Sequence, residues 1–239
     1  MEESNELLVD KAAQLKPEDI QIMYQDENIV IVDKPSWLIV HPFKRFHHER
    51  TNLMKLVRDR LDQYVYPIHR LDRQVSGPII FGLSSNAAKE IQSHWHGDQT
   101  KKEYLTLCKG KLEGNGQFNF PLRDGKFKKK SLTLYRVMEH LDDSSLVRVE
   151  IKTGRRHQIR RHFSRRMHHI IGDRRYGHKD LNDQYLNDFG LERIFLHSYK
   201  LRIPNPWTMK MVEVTSPLPP ELKSVLEKKG MAQSILSEI

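Results

Sequence analysis

Two short segments of this chain concentrate side chains able to do chemistry. The first, His69-Arg70-Leu71-Asp72-Arg73-Gln74-Val75-Ser76-Gly77, sets one carboxylate among two arginines and a histidine, between two apolar stretches. Aspartate side chains are ionised at neutral pH and neighbouring guanidinium groups favour that state, so Asp72 suits a nucleophile or charge stabiliser better than a general acid. The bland reading, an Asp72 ion pair with Arg70 or Arg73 that merely holds a turn, is the one that composition alone favours. The second segment, Arg155 to Arg166, has six arginines in twelve residues. Their mutual repulsion calls for anionic partners, and guanidinium groups at a helix start, where backbone amides already favour anions, read as a phosphate-binding surface.

These side chains need elements to hold them. Ile22 to Tyr24 and Ile29 to Val32 read as two strands joined by a turn rich in Asp and Asn. Thr51-Asn52-Leu53 opens a helix reaching about Gln63, with Leu53, Leu56, Val57 and Leu61 at helical spacing. Pro78 to Leu83 reads as a strand, after which Ser84 or Ser85 caps a helix over Asn86 to Trp95. Further strands are predicted over Tyr104 to Cys108, Phe118 to Phe120 and Ser131 to Val137, with Lys126 to Lys130 as a basic turn. Leu146 to Ile151 alternates as a half-buried strand does. Thr153-Gly154 then opens a helix whose Ile159, Phe163 and Met167 form an apolar stripe, with Arg156 and Arg160 in a second row and Arg161 and Arg165 in a third. Arg193 to Leu196 and Met211 to Val214 read as late strands and Leu222 to Lys228 as a last helix. The class is α+β, a central mixed, mainly antiparallel sheet flanked by helices. Residues 1–20 are expected to be a tail or short docked helix and residues 21–239 one domain.

The formal net charge is +9, from 40 Lys and Arg against 31 Asp and Glu, with a pI near 9.5, which favours a polyanionic partner. The longest apolar runs, such as Ile29 to Val32, are strand-sized, far short of the roughly 20 residues that span a bilayer. The first residues have neither a basic region nor an apolar stretch after it, so a cytoplasmic protein is expected. A single cysteine, Cys108, excludes an internal disulfide and reads as a buried structural thiol. The pairs His47-His48 and His168-His169 and the triplet His94-Trp95-His96 lack the spacings of zinc sites, so no metal is expected. Trp37, Trp95 and Trp207 read as packing residues. Charge alone suits a non-catalytic RNA-binding or chaperone protein as well as it suits an enzyme.

Beyond composition, several segments resemble the RluA-like pseudouridine synthases. They are His69-Arg70-Leu71-Asp72 with Ser76-Gly77, Lys102-Glu103-Tyr104 ahead of Gly110, and Thr153-Gly154-Arg155 with His157-Gln158-Ile159-Arg160 and His162. Asp26-Glu27, Asp33-Lys34-Pro35-Ser36 and Ile171-Gly172-Asp173 with Tyr176-Gly177 resemble it too, in order from about Ile22 to Pro217. The resemblance implies the pseudouridine synthase fold. It also implies isomerisation of a uridine in structured RNA, with Asp72 as the catalytic carboxylate, Tyr104 packed against the base and Arg160 paired with the Asp. Arg70 would enter the RNA as the target base flips. Arg73, Lys102, Arg155, Arg156, His157, Arg161, Lys128 and Lys129 are the expected RNA-binding residues, with no cofactor and no membrane partner, in a monomer. Within the family the chain looks most like the TruC branch, which modifies uridine 65 in the T-stem of certain tRNAs; an rRNA substrate is the alternative. Val75, Trp37 and His169 stand where Thr, Gly and Pro are usual.

Overall fold

Two compact units make up the chain in the computed structural model, which describes residues 12–42 and 51–239. The first comprises residues up to Thr100 together with Lys200–Ser216, the second Lys101–Tyr199 with Pro217–Ile239. His47 and His48 lie outside the described residues. No described helix is long and apolar enough to cross a membrane.

In the first unit, strands β1 (Ile22–Gln25), β2 (Ile29–Lys34), β3 (Tyr66–Pro67) and β4 (Gly77–Gly82) form a sheet in the order β1-β2-β4-β3. β2 and β4 are the central strands, and their β-branched runs are buried on both faces. Helix α1 (Leu53–Leu61) starts where the Asn52 side chain accepts the Lys55 amide at 3.0 Å and stops at Asp62 in the left-handed region. Helix α2 (Ser85–His94) starts likewise on Ser84, whose hydroxyl accepts the Ala87 amide at 3.0 Å. Ile29, Ile31, Ile80, Ile91 and Trp95 form the core with Leu201, Ile203, Val212 and Val214.

The Asp72 segment connects β3 to β4 and is held in two ways. Upstream, the His69 ring stacks on Trp95 with centroids 4.4 Å apart, and its Nε2 accepts the Ile80 amide at 3.4 Å. In the middle, the fully buried Lys34 extends its Nζ to three carbonyl oxygens, those of Pro35 (2.8 Å), Leu38 (2.8 Å) and Arg73 (3.0 Å). Three acceptors require three N–H donors, so the group is the ammonium. A turn then closes from the Val75 amide to the Asp72 carbonyl at 3.0 Å, between buried Leu71 and Val75.

The second unit is built on β5 (Lys101–Lys109), β6 (Asn115–Phe118), β9 (Thr133–His140) and β10 (Ser144–Ile151), side by side in the order β5-β10-β9-β6 and antiparallel in each of those pairs. The Lys126 to Lys130 turn is more than a turn: β7 (Leu122–Asp124) and β8 (Phe127–Lys129) make a separate two-stranded hairpin about Gly125. Helix α3 (Gln158–Arg165) starts five residues later than its periodicity predicts. The reason is Gln158, whose side chain accepts from the Thr153 hydroxyl (2.7 Å) and the Arg155 amide (3.0 Å), holding 153–157 as a loop that ends in left-handed His157. Met167 falls beyond the helix and is 69% exposed, so the apolar stripe ends at Phe163.

Helix α4 (Lys179–Phe189) carries no strong sequence signal; helices α5 (Pro220–Lys228) and α6 (Gln233–Glu238) cover a core of Leu105, Leu107, Phe195, Leu222 and Leu226. The predicted Arg193 to Leu196 strand is instead the approach to β11 (Leu196–Asn205), whose later residues pair with β12 (Lys210–Thr215). Trp37 and Trp95 are buried as expected, but Trp207 sits in the turn after β11 and is 40% exposed.

His162 on α3 is fully buried. A carbonyl can only accept, so the 3.1 Å contact to the Phe120 carbonyl places the proton on Nε2, and Nδ1 accepts from the Thr133 hydroxyl at 2.9 Å. Burial, with repulsion from Arg165 and Arg161, depresses this imidazole to about 4.

Two stability measurements test these supports. Lys34→Met keeps the stem but removes the donor of three carbonyls, and urea denaturation is expected to show a loss of about 2–4 kcal/mol. For His162 the folded state holds the neutral form, so its contribution is complete above the unfolded value near 6.5 and is lost as pH falls toward 4. Denaturation at pH 7 and pH 5 should differ by roughly 2 kcal/mol, and His162→Gln should flatten that interval.

Candidate active site

The predicted residues are divided between the two units. The first holds Asp72 and Arg73, both half-buried, and Arg70, which is exposed. Because the Arg73 carbonyl is tied to Lys34 and the Asp72 carbonyl to Val75, the backbone beneath the carboxylate is fixed.

The second unit places Tyr104 on β5, 6% exposed and opposite Val149 of β10. Lys102 lies two residues earlier on the same side of that strand and is 4% exposed. Burial first, then repulsion from Lys152, brings its ammonium down to about 8 against the attraction of Glu150. Lys102 is thus an interior cation, unlike Lys128 on the hairpin, which is exposed.

Arg160 projects from α3 and is gripped by a residue that charge patterning did not single out. Its Nε and Nη2 donate to the two carboxylate oxygens of Asp173, each at 2.8 Å. Asp173 is 1% exposed, and its Oδ1 also accepts the amides of Arg175 (2.9 Å) and Tyr176 (3.0 Å). Burial works to raise its pKa, but the Arg160 hydrogen bond and charge, with those two amides, take it below the usual carboxylate range. Both Arg160 and Arg175 lie over the Tyr176 ring, 5.1 and 5.4 Å from its centre, and the Tyr176 hydroxyl is 3.0 Å from His157 Nδ1. Gly172 opens this loop with φ +78°, and a side chain there would collide with the Arg193 carbonyl.

The remaining predicted residues divide by what they touch. Arg155 Nε donates to the Lys130 carbonyl at 3.1 Å, and Arg161 Nη1 to the carbonyls of Arg123 (2.9 Å) and Arg156 (3.2 Å), so these two arginines tie the hairpin to α3. Lys129 pairs with Asp124 at 2.9 Å on the surface. Arg156 is exposed and His157 engages Tyr176. Lys34, Asp173, Gln158 and His162 are supports that the types and spacing of residues left unmarked. Asp173 in particular stood inside a quoted Ile-Gly-Asp segment without a role.

The adjacent histidines 168 and 169 are taken up by backbone carbonyls: His168 Nδ1 lies 3.1 Å from Lys109 O and His169 Nδ1 2.7 Å from Tyr176 O. Among the described residues, no three His, Cys, Asp or Glu side chains assemble as a metal-ligand set. Cys108 is buried in β5, and burial pushes its thiol up to about 12, which leaves no thiolate for nucleophilic work at neutral pH.

Comparison with known proteins places this geometry. The model of the RNA pseudouridylate synthase family matches residues 28–165. The tRNA pseudouridine synthase C of Pasteurella multocida is 33% identical over 218 residues, 82% of this chain and 90% of the relative. That of Vibrio cholerae is 30% identical over 240 residues, 91% of this chain and 98% of the relative. Among solved structures, human RNA Pseudouridylate Synthase Domain Containing 1 superposes with a TM-score of 0.71 at 26% identity, covering 88% of this chain and 89% of that one. Human RNA Pseudouridylate Synthase Domain Containing 4 shares the fold, with a TM-score of 0.73 at 19% identity over 96% of this chain and 98% of that one. On a match that runs from β2 through α3 and relatives aligned over most of both chains, the chain belongs to the RNA pseudouridylate synthase family and is an RNA-modifying isomerase.

Proposed function

We propose that this enzyme converts a uridine of tRNA, in the T-stem, to pseudouridine, acting as a cytoplasmic monomer with Asp72 as its essential carboxylate. The observation that carries this reading is the near full-length match to relatives named tRNA pseudouridine synthase C, in which the family match spans Asp72, Tyr104 and Arg160. Uridine and pseudouridine are isomers. The N1–C1′ bond breaks, a C5–C1′ bond forms, and the proton lost from C5 is balanced by one gained at N1, so the balance needs no external oxidant or reductant.

In this reading the Asp72 side chain drives cleavage of the glycosidic bond from a backbone held still by Lys34. Tyr104 packs on the freed base and assists removal of the C5 proton. Arg160, its guanidinium aimed by Asp173, is the third catalytic residue. Arg70 fills the space left by the flipped nucleotide. Arg73, Arg155, Arg156, His157, Arg161, Lys128 and Lys129 bind the RNA around it, while Lys102, 4% exposed, contributes its charge from the interior of β5.

Pseudouridine mapping by carbodiimide labelling and primer extension, on mixed tRNA and rRNA treated with the enzyme, tests the reaction and the substrate together. A T-stem signal in tRNA that vanishes with Asp72→Asn, while RNA affinity stays within about threefold, is the expected result. A signal confined to rRNA moves the substrate, and tight binding with no signal in either RNA removes the catalytic reading. Asp173→Asn tests the aiming of Arg160. It should lower the single-turnover rate by roughly 10–100-fold at saturating RNA, and cost about 3 kcal/mol of stability because a largely buried guanidinium loses its counter-charge.

A further inference from the structure

The positive charge of this protein is gathered in one place. Residues 120–130 and 155–166 together hold eleven Lys and Arg against one Asp, a formal +10, whereas the whole chain carries +9. Everything else, taken together, is slightly acidic. The two segments are distant in sequence but knitted by three hydrogen bonds to backbone carbonyls: Arg155 to Lys130, Arg161 to Arg123 and His162 to Phe120. They form one basic module in the second unit.

Most of the cations in that module whose contacts are described are engaged within the protein. Arg160 grips Asp173, Lys129 pairs with Asp124, and Arg155 and Arg161 donate to the hairpin backbone. Arg165 and Arg166 differ. Both are exposed at the end of α3, and neither has an ion-pair partner among the described residues. Their guanidinium carbons lie 5.2 and 5.6 Å from the centre of the same ring, that of Phe120. Phe120 is itself fixed, its carbonyl by His162 and its ring 4.5 Å from that imidazole. Two like charges gathered over one braced ring, without a carboxylate, leave their N–H forks for an anion from outside. A planar fork matches the oxygens of a phosphate, and stacking on an aromatic ring reduces the rotamer entropy lost on binding it.

We propose that Arg165 and Arg166, braced on Phe120, form a phosphate-binding site for the RNA sugar–phosphate backbone outside the reacting nucleotide. The proposal rests on the reading of the substrate as structured RNA. The two side chains follow Arg160 by five and six residues, roughly 8–9 Å further along the chain's helical rise, so the site engages the flank of the target rather than the base that is turned over. Contacts of this kind fix register and supply affinity without reading sequence.

The test is the salt dependence of tRNA affinity, as log Kd against log [KCl], for the wild type and three variants. Arg165→Gln/Arg166→Gln should weaken binding on the order of tenfold at moderate salt and lower the slope by about 1.5–2, the counterions of two phosphate contacts. Phe120→Leu keeps both charges and should weaken binding about threefold with the slope unchanged. Lys89→Gln/Lys111→Gln removes two exposed charges outside the module and should leave the slope as it was. An unchanged slope in the arginine variant, or an equal fall in the lysine control, overturns the site; a wild-type affinity in Phe120→Leu overturns the brace. Pseudouridine mapping on the same tRNA separates the two levels. Product formed by a wild type whose slope the arginines do not influence sinks this site alone, whereas no product in any RNA sinks the reading beneath it.

Discussion

The buried carboxylate of Asp173 is the constraint on which the chemistry of the second unit depends. A carboxylate that is 1% exposed has lost its water and must be compensated by donors within the fold. Asp173 finds them in two backbone amides of its own loop and in the two-pronged fork of Arg160. The same four contacts therefore do two things. They close the loop that follows Gly172, and they fix the direction of a guanidinium that would otherwise sweep through many rotamers. Tyr176, placed by that loop, then lies beneath Arg160 and reaches back to His157 at the start of α3.

The first unit uses the inverse arrangement. There the buried group is a cation, the Lys34 ammonium, and the compensating groups are the Arg73 carbonyl of the Asp72 turn and the Pro35 and Leu38 carbonyls of the loop after β2. Removing water from either charge is costly, and the cost is offset only if its partners stay in place. A loop tied to such a group is consequently more rigid than its lack of regular structure suggests. Sites that must hold reacting groups to within a fraction of an ångström gain from that rigidity.

Charge placement follows a different logic. The basic module keeps its like charges close by spending several of them on carbonyls and carboxylates, and by making its buried histidine neutral. What remains outward is a band of exposed Arg and Lys from the hairpin to the end of α3, the electrostatic footprint expected for a phosphate-rich substrate.

Much of this was legible in the linear chain. Strands β2, β4 and β10 declared themselves by β-branched and alternating runs, and α1 and α2 by Asn52 and Ser84 ahead of helical spacing, because those signals are local. The segment around Asp72 stood out through the density of its charged residues, and the resemblance of several ordered motifs carried the reaction class. Partnerships were not legible. That Arg160 grips Asp173, that Lys34 faces carbonyls, that Gln158 delays the start of α3 and that His162 is neutral are each decided by residues as much as 42 positions apart meeting in a dry interior, where hydrogen bonding and desolvation outweigh propensity. The sequence by itself determined the class of the fold, the basic character and the candidate carboxylate, since periodicity and charge are properties of neighbours. Only the tertiary structure decided which charges are satisfied within the protein and which are left for a ligand, since that depends on what burial brings together.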